Sequence, residues 1–127
     1  MKVYTDGGSR GNPGKASCAF IVVSKQKIIK QKSKFLKIKT NNEAEYNAII
    51  FALENIKQKQ FEIISDSELV IKQITGEYKI NKSHLALLNQ KVQGLISTRK
   101  IKFSTVKREN KFISFADELV NKELDKY

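Results

Sequence analysis

The chain has one cysteine, one histidine, one proline and no tryptophan. A lone Cys18 rules out an intramolecular disulfide and fits a reducing compartment. With one histidine and one cysteine, a zinc site or a Cys/His nucleophile is poorly supplied. Apolar runs such as Cys18–Val23 fall far short of the ~20 residues that span a bilayer. The opening residues Met-Lys-Val-Tyr-Thr-Asp lack the apolar stretch of a secretion signal. A cytoplasmic protein without membrane association is expected. Low-complexity linkers and repeats are also missing. The 127 residues fit one domain, residues 1–127, that buries roughly two-thirds of its unfolded surface.

Acidic residues are missing from one long segment. Residues 7–42 contain no Asp or Glu but nine bases: Arg10, Lys15, Lys25, Lys27, Lys30, Lys32, Lys34, Lys37 and Lys39. Nine of the eleven net positive charges therefore sit in that segment. A basic excess this localised points to a polyanion, most often nucleic acid. The plainer reading is a solvated, lysine-rich edge strand that resists aggregation. Lysine outnumbers arginine in the segment, which suits backbone contact better than reading of base edges.

The single proline, Pro13, lies in Gly7-Gly8-Ser9-Arg10-Gly11-Asn12-Pro13-Gly14, which reads as a turn or loop. Lys2–Asp6 before it reads as a strand. Ala16–Ser24 and Lys27–Lys39 read as two more, joined tightly near Gln26 in an antiparallel meander. Asn41–Lys57 reads as a helix opened by a capping box, Thr40 with Glu43. Phe61–Ser65 reads as a strand, and Ser67–Thr75 as a helix ended by Gly76. Leu85–Ile96 is a further helix, Lys100–Val106 a strand and Ser114–Asp125 a last helix. Three early strands followed by alternation predict an α/β fold, a mixed sheet with helices on its faces.

Four carboxylates fall at telling places. Asp6 ends the first predicted strand, just before two glycines. Glu45 shares a helical face with Ile49, Ala52 and Ile56, where an unpaired charge is costly. Asp66 follows a strand that hands over to a helix, and ligand sites of open α/β sheets gather at such carboxyl ends. Asp117 lies in the first turn of the last predicted helix. Three of them have plainer readings: Asp6 a turn aspartate, Asp66 a helix cap, Asp117 the partner of Ser114 in a capping box. Together they form a hard, oxygen-rich set suited to Mg²⁺ or Mn²⁺. His84 reads as a surface or capping residue, and Cys18 as core.

Four stretches carry a resemblance. They are Tyr4-Thr5-Asp6-Gly7-Gly8-Ser9-Arg10-Gly11-Asn12-Pro13-Gly14, Thr40-Asn41-Asn42-Glu43-Ala44-Glu45-Tyr46, Ser65-Asp66-Ser67, and Ala116-Asp117-Glu118-Leu119-Val120-Asn121. In this order, over nearly the whole chain, they resemble type 1 ribonuclease H. The resemblance implies a ribonuclease H-like fold, a five-stranded mixed sheet whose first three strands are antiparallel, flanked by helices. It implies hydrolysis of the RNA strand of RNA–DNA hybrids, leaving 5′-phosphate and 3′-hydroxyl ends. It assigns Asp6, Glu45, Asp66 and Asp117 to two Mg²⁺ or Mn²⁺ ions, roughly 3.5–4 Å apart. It assigns Gly11, Asn12, Thr40, Asn41, Asn42 and Ser67 to nucleic-acid contact, with Thr40 gripping a DNA phosphate. Contacts in a wide, shallow minor groove distinguish RNA by its 2′-hydroxyls. A monomer is expected.

The chain also departs from the family pattern. Many bacterial members insert a basic helix-loop handle between the two central helices; here Gly76–Ser83 joins them directly. The lysines of residues 25–39 are candidates to compensate. Many members also carry a histidine before the last acid. This chain has Arg108-Glu109-Asn110 there, making Arg108 a possible auxiliary residue. Two other functions stay open at this point: a nucleic-acid-binding module with a decayed site, and a related polynucleotidyl transferase or resolvase.

Overall fold

The computed structural model describes residues 1–127. The elements are β1 (Lys2–Gly11), β2 (Gly14–Ser24), β3 (Lys27–Lys39), α1 (Asn41–Asn55), β4 (Gln60–Ser65), α2 (Glu68–Ile74), α3 (Ser83–Ile96), β5 (Lys100–Thr105) and α4 (Lys111–Leu124). They build one five-stranded sheet in the order β3-β2-β1-β4-β5. The first three strands pair antiparallel with one another, and β4 and β5 run parallel to β1. No helix is long and apolar enough to cross a membrane.

The alternation of strand residues decides which helix covers which face. Val3, Phe20 and Val22 face α1, α2 and α3, packing with Tyr46, Ile49, Leu53, Val70 and Val92. Tyr4, Ile21 and Val23 point the other way, onto Phe112 and Ile113 of α4. Two apolar layers thus clamp the sheet, and burial of some thirty apolar side chains stabilises both sides. Cys18 is fully buried, as a small apolar residue would be.

Three details differ from the sequence reading. Residues 7–11 are strand, not loop: β1 continues through Gly7↔Cys18 and Ser9↔Ala16 to Gly11↔Gly14. Pairing with β2 satisfies the backbone groups, which outweighs the poor strand propensity of glycine. Only Asn12 and Pro13 form the turn, so Asp6 lies inside β1 rather than at its end. The last helix begins at Lys111, because Asn110 caps it by accepting from the amides of Phe112 (2.9 Å) and Ile113 (3.2 Å). Ser114 therefore caps nothing, and Asp117 sits in the second turn. The third helix starts at Ser83, two residues earlier than Leu85; His84 is exposed in its first turn and caps nothing, the N-cap position being Lys82.

The capping box of α1 forms as read. Thr40 Oγ1 accepts from the Glu43 amide (3.1 Å), and Glu43 Oε1 accepts from the Thr40 amide (2.9 Å). The cap fixes where α1 starts and hence which residues meet β1. That contact is close. A Cβ built on Gly7 would lie 2.2 Å from the Ala44 carbonyl oxygen, a separation no side chain tolerates. We expect Gly7→Ala to cost about 3 kcal/mol, the upper end for overpacking, because α1 must lift off β1. A urea midpoint close to wild type would contradict this contact.

Candidate active site

The parallel register brings two acids level. Tyr4 pairs with Ile64 at the end of the β1–β4 ladder. Two residues further along the chain from each stand Asp6, within β1, and Asp66, just past the end of β4. The strands part there, opening a crevice at the carboxyl end of β4, where open α/β sheets bind ligands. Asp6 follows the alternation of Tyr4 and turns toward α4, while Gly7 turns toward α1.

Glu45 enters from that α1 side. It accepts a hydrogen bond from the Gly7 amide at Oε1 (2.8 Å). The missing side chain of Gly7 lets the helix come near enough for this bond. One carboxylate oxygen each from Asp6, Glu45 and Asp66 then lies within 4.8 Å of the others. Ser67, not Asp66, caps α2, accepting from the Val70 amide (3.4 Å). Asp66 is free of the capping role, and its Oδ1 is buried without any hydrogen-bond partner. Such an orphaned oxygen is costly in a folded protein.

Asp117 lines the same cleft, of about 460 Å³, although it stands outside the tight group of three. It neighbours Asp6 and is held by Asn121, whose amide donates to the Asp117 carbonyl (3.1 Å) and to Oδ2 (3.4 Å). Burial, then the charges of Asp66 and Asp117 and a shared hydrogen bond with Asp117, push the Asp6 carboxyl up to about 8, while Arg108 pulls the other way. Burial and the charges of Asp6 and Asp66 hold Glu45 well above its usual range; the Gly7 amide opposes them. Carboxylates packed this closely cannot all ionise unless something positive joins them. The donor set fits hard divalent cations: all-oxygen, clustered, and including a residue with an unpartnered buried oxygen.

Of the predicted nucleic-acid residues, Asn41 lines this cleft. Asn12 Oδ1, in the β1–β2 turn, accepts from the Asn41 amide (3.0 Å). Asn41 Oδ1 in turn accepts from the Ser9 amide (2.9 Å) and Ser9 Oγ (3.0 Å). These bonds tie the tip of β1 to the start of α1, next to Thr40 and Gly11. Asn42 is partly exposed on the first turn of α1, and Ser67 is the α2 cap. Arg108, from the segment between β5 and α4, lines the cleft. Sequence reading missed Ser9 and Arg10, which also line it, and the Asp117–Asn121 bond. The i, i+4 spacing of Asp117 and Asn121 was the one available signal for that bond.

The RNase H family model matches residues 1–125. The chain is 32% identical over 133 residues to the Mycobacterium tuberculosis bifunctional protein Rv2228c, covering 98% of this chain but 36% of that protein. It is 40% identical over 89 residues to ribonuclease HI of Halobacterium salinarum, covering 67% of this chain and 45% of that one. The chain thus spans less than half the length of these curated relatives. Among solved structures, it superposes on LC11-RNase H1 in complex with an RNA/DNA hybrid with a TM-score of 0.91 and 33% identity, over 98% of this chain and 96% of that one. On RNase H1 from the halophilic archaeon Halobacterium salinarum the TM-score is 0.89 at 33% identity, over 99% and 98%. A family match along the chain and such close superposition agree with the sheet order and the meeting of acids found here: the chain belongs to the RNase H family, in its type 1 branch.

Proposed function

We propose that the chain is a ribonuclease H, an endonuclease that hydrolyses the RNA strand of RNA–DNA hybrids and leaves 5′-phosphate and 3′-hydroxyl ends. The observation that carries this reading is the meeting of Asp6, Glu45 and Asp66 oxygens within 4.8 Å, in a chain of this family. A relative of 33% identity has been crystallised with an RNA/DNA hybrid, which supports the same substrate here. The reading takes residues 1–127 as a single domain acting as a monomer inside the cell.

Asp6, Glu45, Asp66 and Asp117 are the residues that would hold two Mg²⁺ or Mn²⁺ ions. When bound, such ions supply Lewis acidity to the phosphodiester, lower the pKa of a water and stabilise the departing 3′ oxygen. The chain does the rest by position. The Gly7 amide fixes the Glu45 carboxylate, and Asn121 orients Asp117. Thr40, Asn41, Asn42, Gly11, Asn12 and Ser67 would offer hydroxyl, amide and backbone groups to a hybrid lying across the cleft. Arg108 adds a positive charge near Asp6, suited to a phosphate oxygen or to the leaving product.

Asp6→Asn removes one charge from the cluster while keeping its shape. It is expected to lower kcat by at least about 10³-fold, or about 4 kcal/mol of transition-state stabilisation, with hybrid binding retained. Equal turnover by the variant and wild type would end the nuclease reading. Parallel assays on hybrid, duplex RNA, duplex DNA and branched DNA separate a ribonuclease H from a resolvase or transferase of the same fold. A binding module would cut none of them.

The raised acids also set a pH dependence. Folded Asp6 and Glu45 keep protons that the unfolded chain has already released. The native state therefore binds more protons, and stability falls as pH rises. Glu43 and Glu68, whose pKa values are lowered, act only in more acid solution, below about pH 5.5. Between about pH 5.5 and pH 8, urea midpoints in a chelator should decline. Added Mg²⁺ should restore stability most at the upper end, by binding the native state alone. A metal-free midpoint that climbs across this window would contradict the raised acids.

A further inference from the structure

We propose that Lys30, Lys32, Lys34 and Lys39 form a phosphate track along the flank of α1, holding the backbone of a nucleic-acid duplex that extends beyond the carboxylate cleft. The proposal rests on the reading of the chain as a hybrid-binding enzyme and assigns that substrate a second, remote grip.

The four lysines are spread along the length of one helix. Lys39 adjoins Thr40, the N-cap of α1. Lys34 places its ammonium 5.7 Å from the centre of the Phe51 ring, past the middle of the helix. Lys32 donates to Asn55 Oδ1 (2.9 Å) and Lys30 to the Asn55 carbonyl (3.2 Å), at the last turn. Residues 30, 32 and 34 share the α1 face of the edge strand by alternation. Their neighbours turn the other way: Ser33 donates to Glu123 (3.0 Å) and Phe35 stacks on Tyr127 at 3.8 Å. A helix of 15 residues is about 22 Å long. At about 3.4 Å per phosphate along one strand, that length faces about six phosphates.

None of these four lysines is in an ion pair, although the charge of Lys39 is felt at Glu43. The ion pairs of the chain engage Arg10, Lys72, Lys91 and Lys126, none of them in the track. The α1 end does not depend on Lys30 and Lys32 alone, because Arg99 takes the Leu53 carbonyl (3.0 Å) and the Ile56 carbonyl. Lysine is a flexible point charge, which suits phosphates of any sequence. The row begins beside Thr40, whose chain neighbour Asn41 lines the cleft, and runs along α1 from there. A duplex seated at the carboxylates can continue along it.

The test compares Asp6→Asn protein with and without Lys30→Gln, Lys32→Gln and Lys34→Gln, by fluorescence anisotropy at constant Mg²⁺. Hybrids of about 20 and about 6 base pairs are titrated between about 50 and 200 mM salt. For the long hybrid, the triple glutamine variant should bind about tenfold more weakly at about 100 mM salt, with a log–log salt slope shallower by about 2–3. The short hybrid should lose little. The matching triple arginine variant should keep the slope. In the active background, kcat at saturating hybrid should not change. Should the triple variant fold poorly, Lys34→Gln alone, which breaks no hydrogen bond, should flatten the slope by about 1. Unchanged slope and affinity in the glutamine variants would overturn the track and leave these lysines as a solvated strand edge. So would parent protein that binds long and short hybrids equally. A parent that binds with the predicted slope but never cuts, with Asp6 intact, would refute the enzyme reading and leave the track standing.

Discussion

The approach of α1 to β1 at Gly7 is the constraint on which the rest of the structure depends. The Ala44 carbonyl occupies the space a side chain would need, and the Gly7 amide holds Glu45. Without that approach, the Glu45 carboxylate would stay on the helix face of the sheet while Asp6 looks toward α4. With it, acids from opposite sides of one sheet meet at its end. The capping box at Thr40 and the Asn12–Asn41–Ser9 bonds fix the start of the helix against the same strand. Local helix chemistry and long-range strand geometry thus agree on one position for Glu45.

The cluster works against the fold that holds it. Burial, and then neighbouring carboxylate charge, raise the pKa values of Asp6 and Glu45, and Asp66 Oδ1 lacks a partner. Such local tension is tolerated because the apolar layers on both faces of the sheet over-determine the backbone. A bound cation would relieve it, so on the proposed reading affinity for divalent ions and the cost of holding these acids together would have the same origin. The basic row beside α1 complements this arrangement. Acids gather at the end of the sheet and lysines line the helix beside it; under the proposed function a polyanion would be held by its backbone there while its scissile bond lay at the carboxylates.

Much of this was legible in the sequence, for identifiable reasons. Glu45 stood out because its helical spacing sent a carboxylate among apolar residues. The cap at Thr40 and the buried Cys18 followed from local pattern. The length of β1 did not, because Gly7–Gly11 becomes strand only through pairing with β2, a non-local effect that glycine propensity hides. The start of α4 was misplaced because Ser114 and Asp117 imitate a capping box, while the working cap is Asn110. The plainer role for Asp66 fell away for a similar reason: Ser67, one residue on, caps α2 instead. The neighbours Ser9, Arg10 and Asn121 required the folded chain, since only the sheet end and α4 together make the cleft.

Anomalous diffraction from crystals soaked in Mn²⁺ tests the convergence of acids most directly. Metal peaks are expected in contact with carboxylate oxygens of Asp6, Glu45 and Asp66, with a second ion reaching Asp117. Strong peaks elsewhere on the surface and none among these acids, in crystals where the three side chains stand apart, would contradict it.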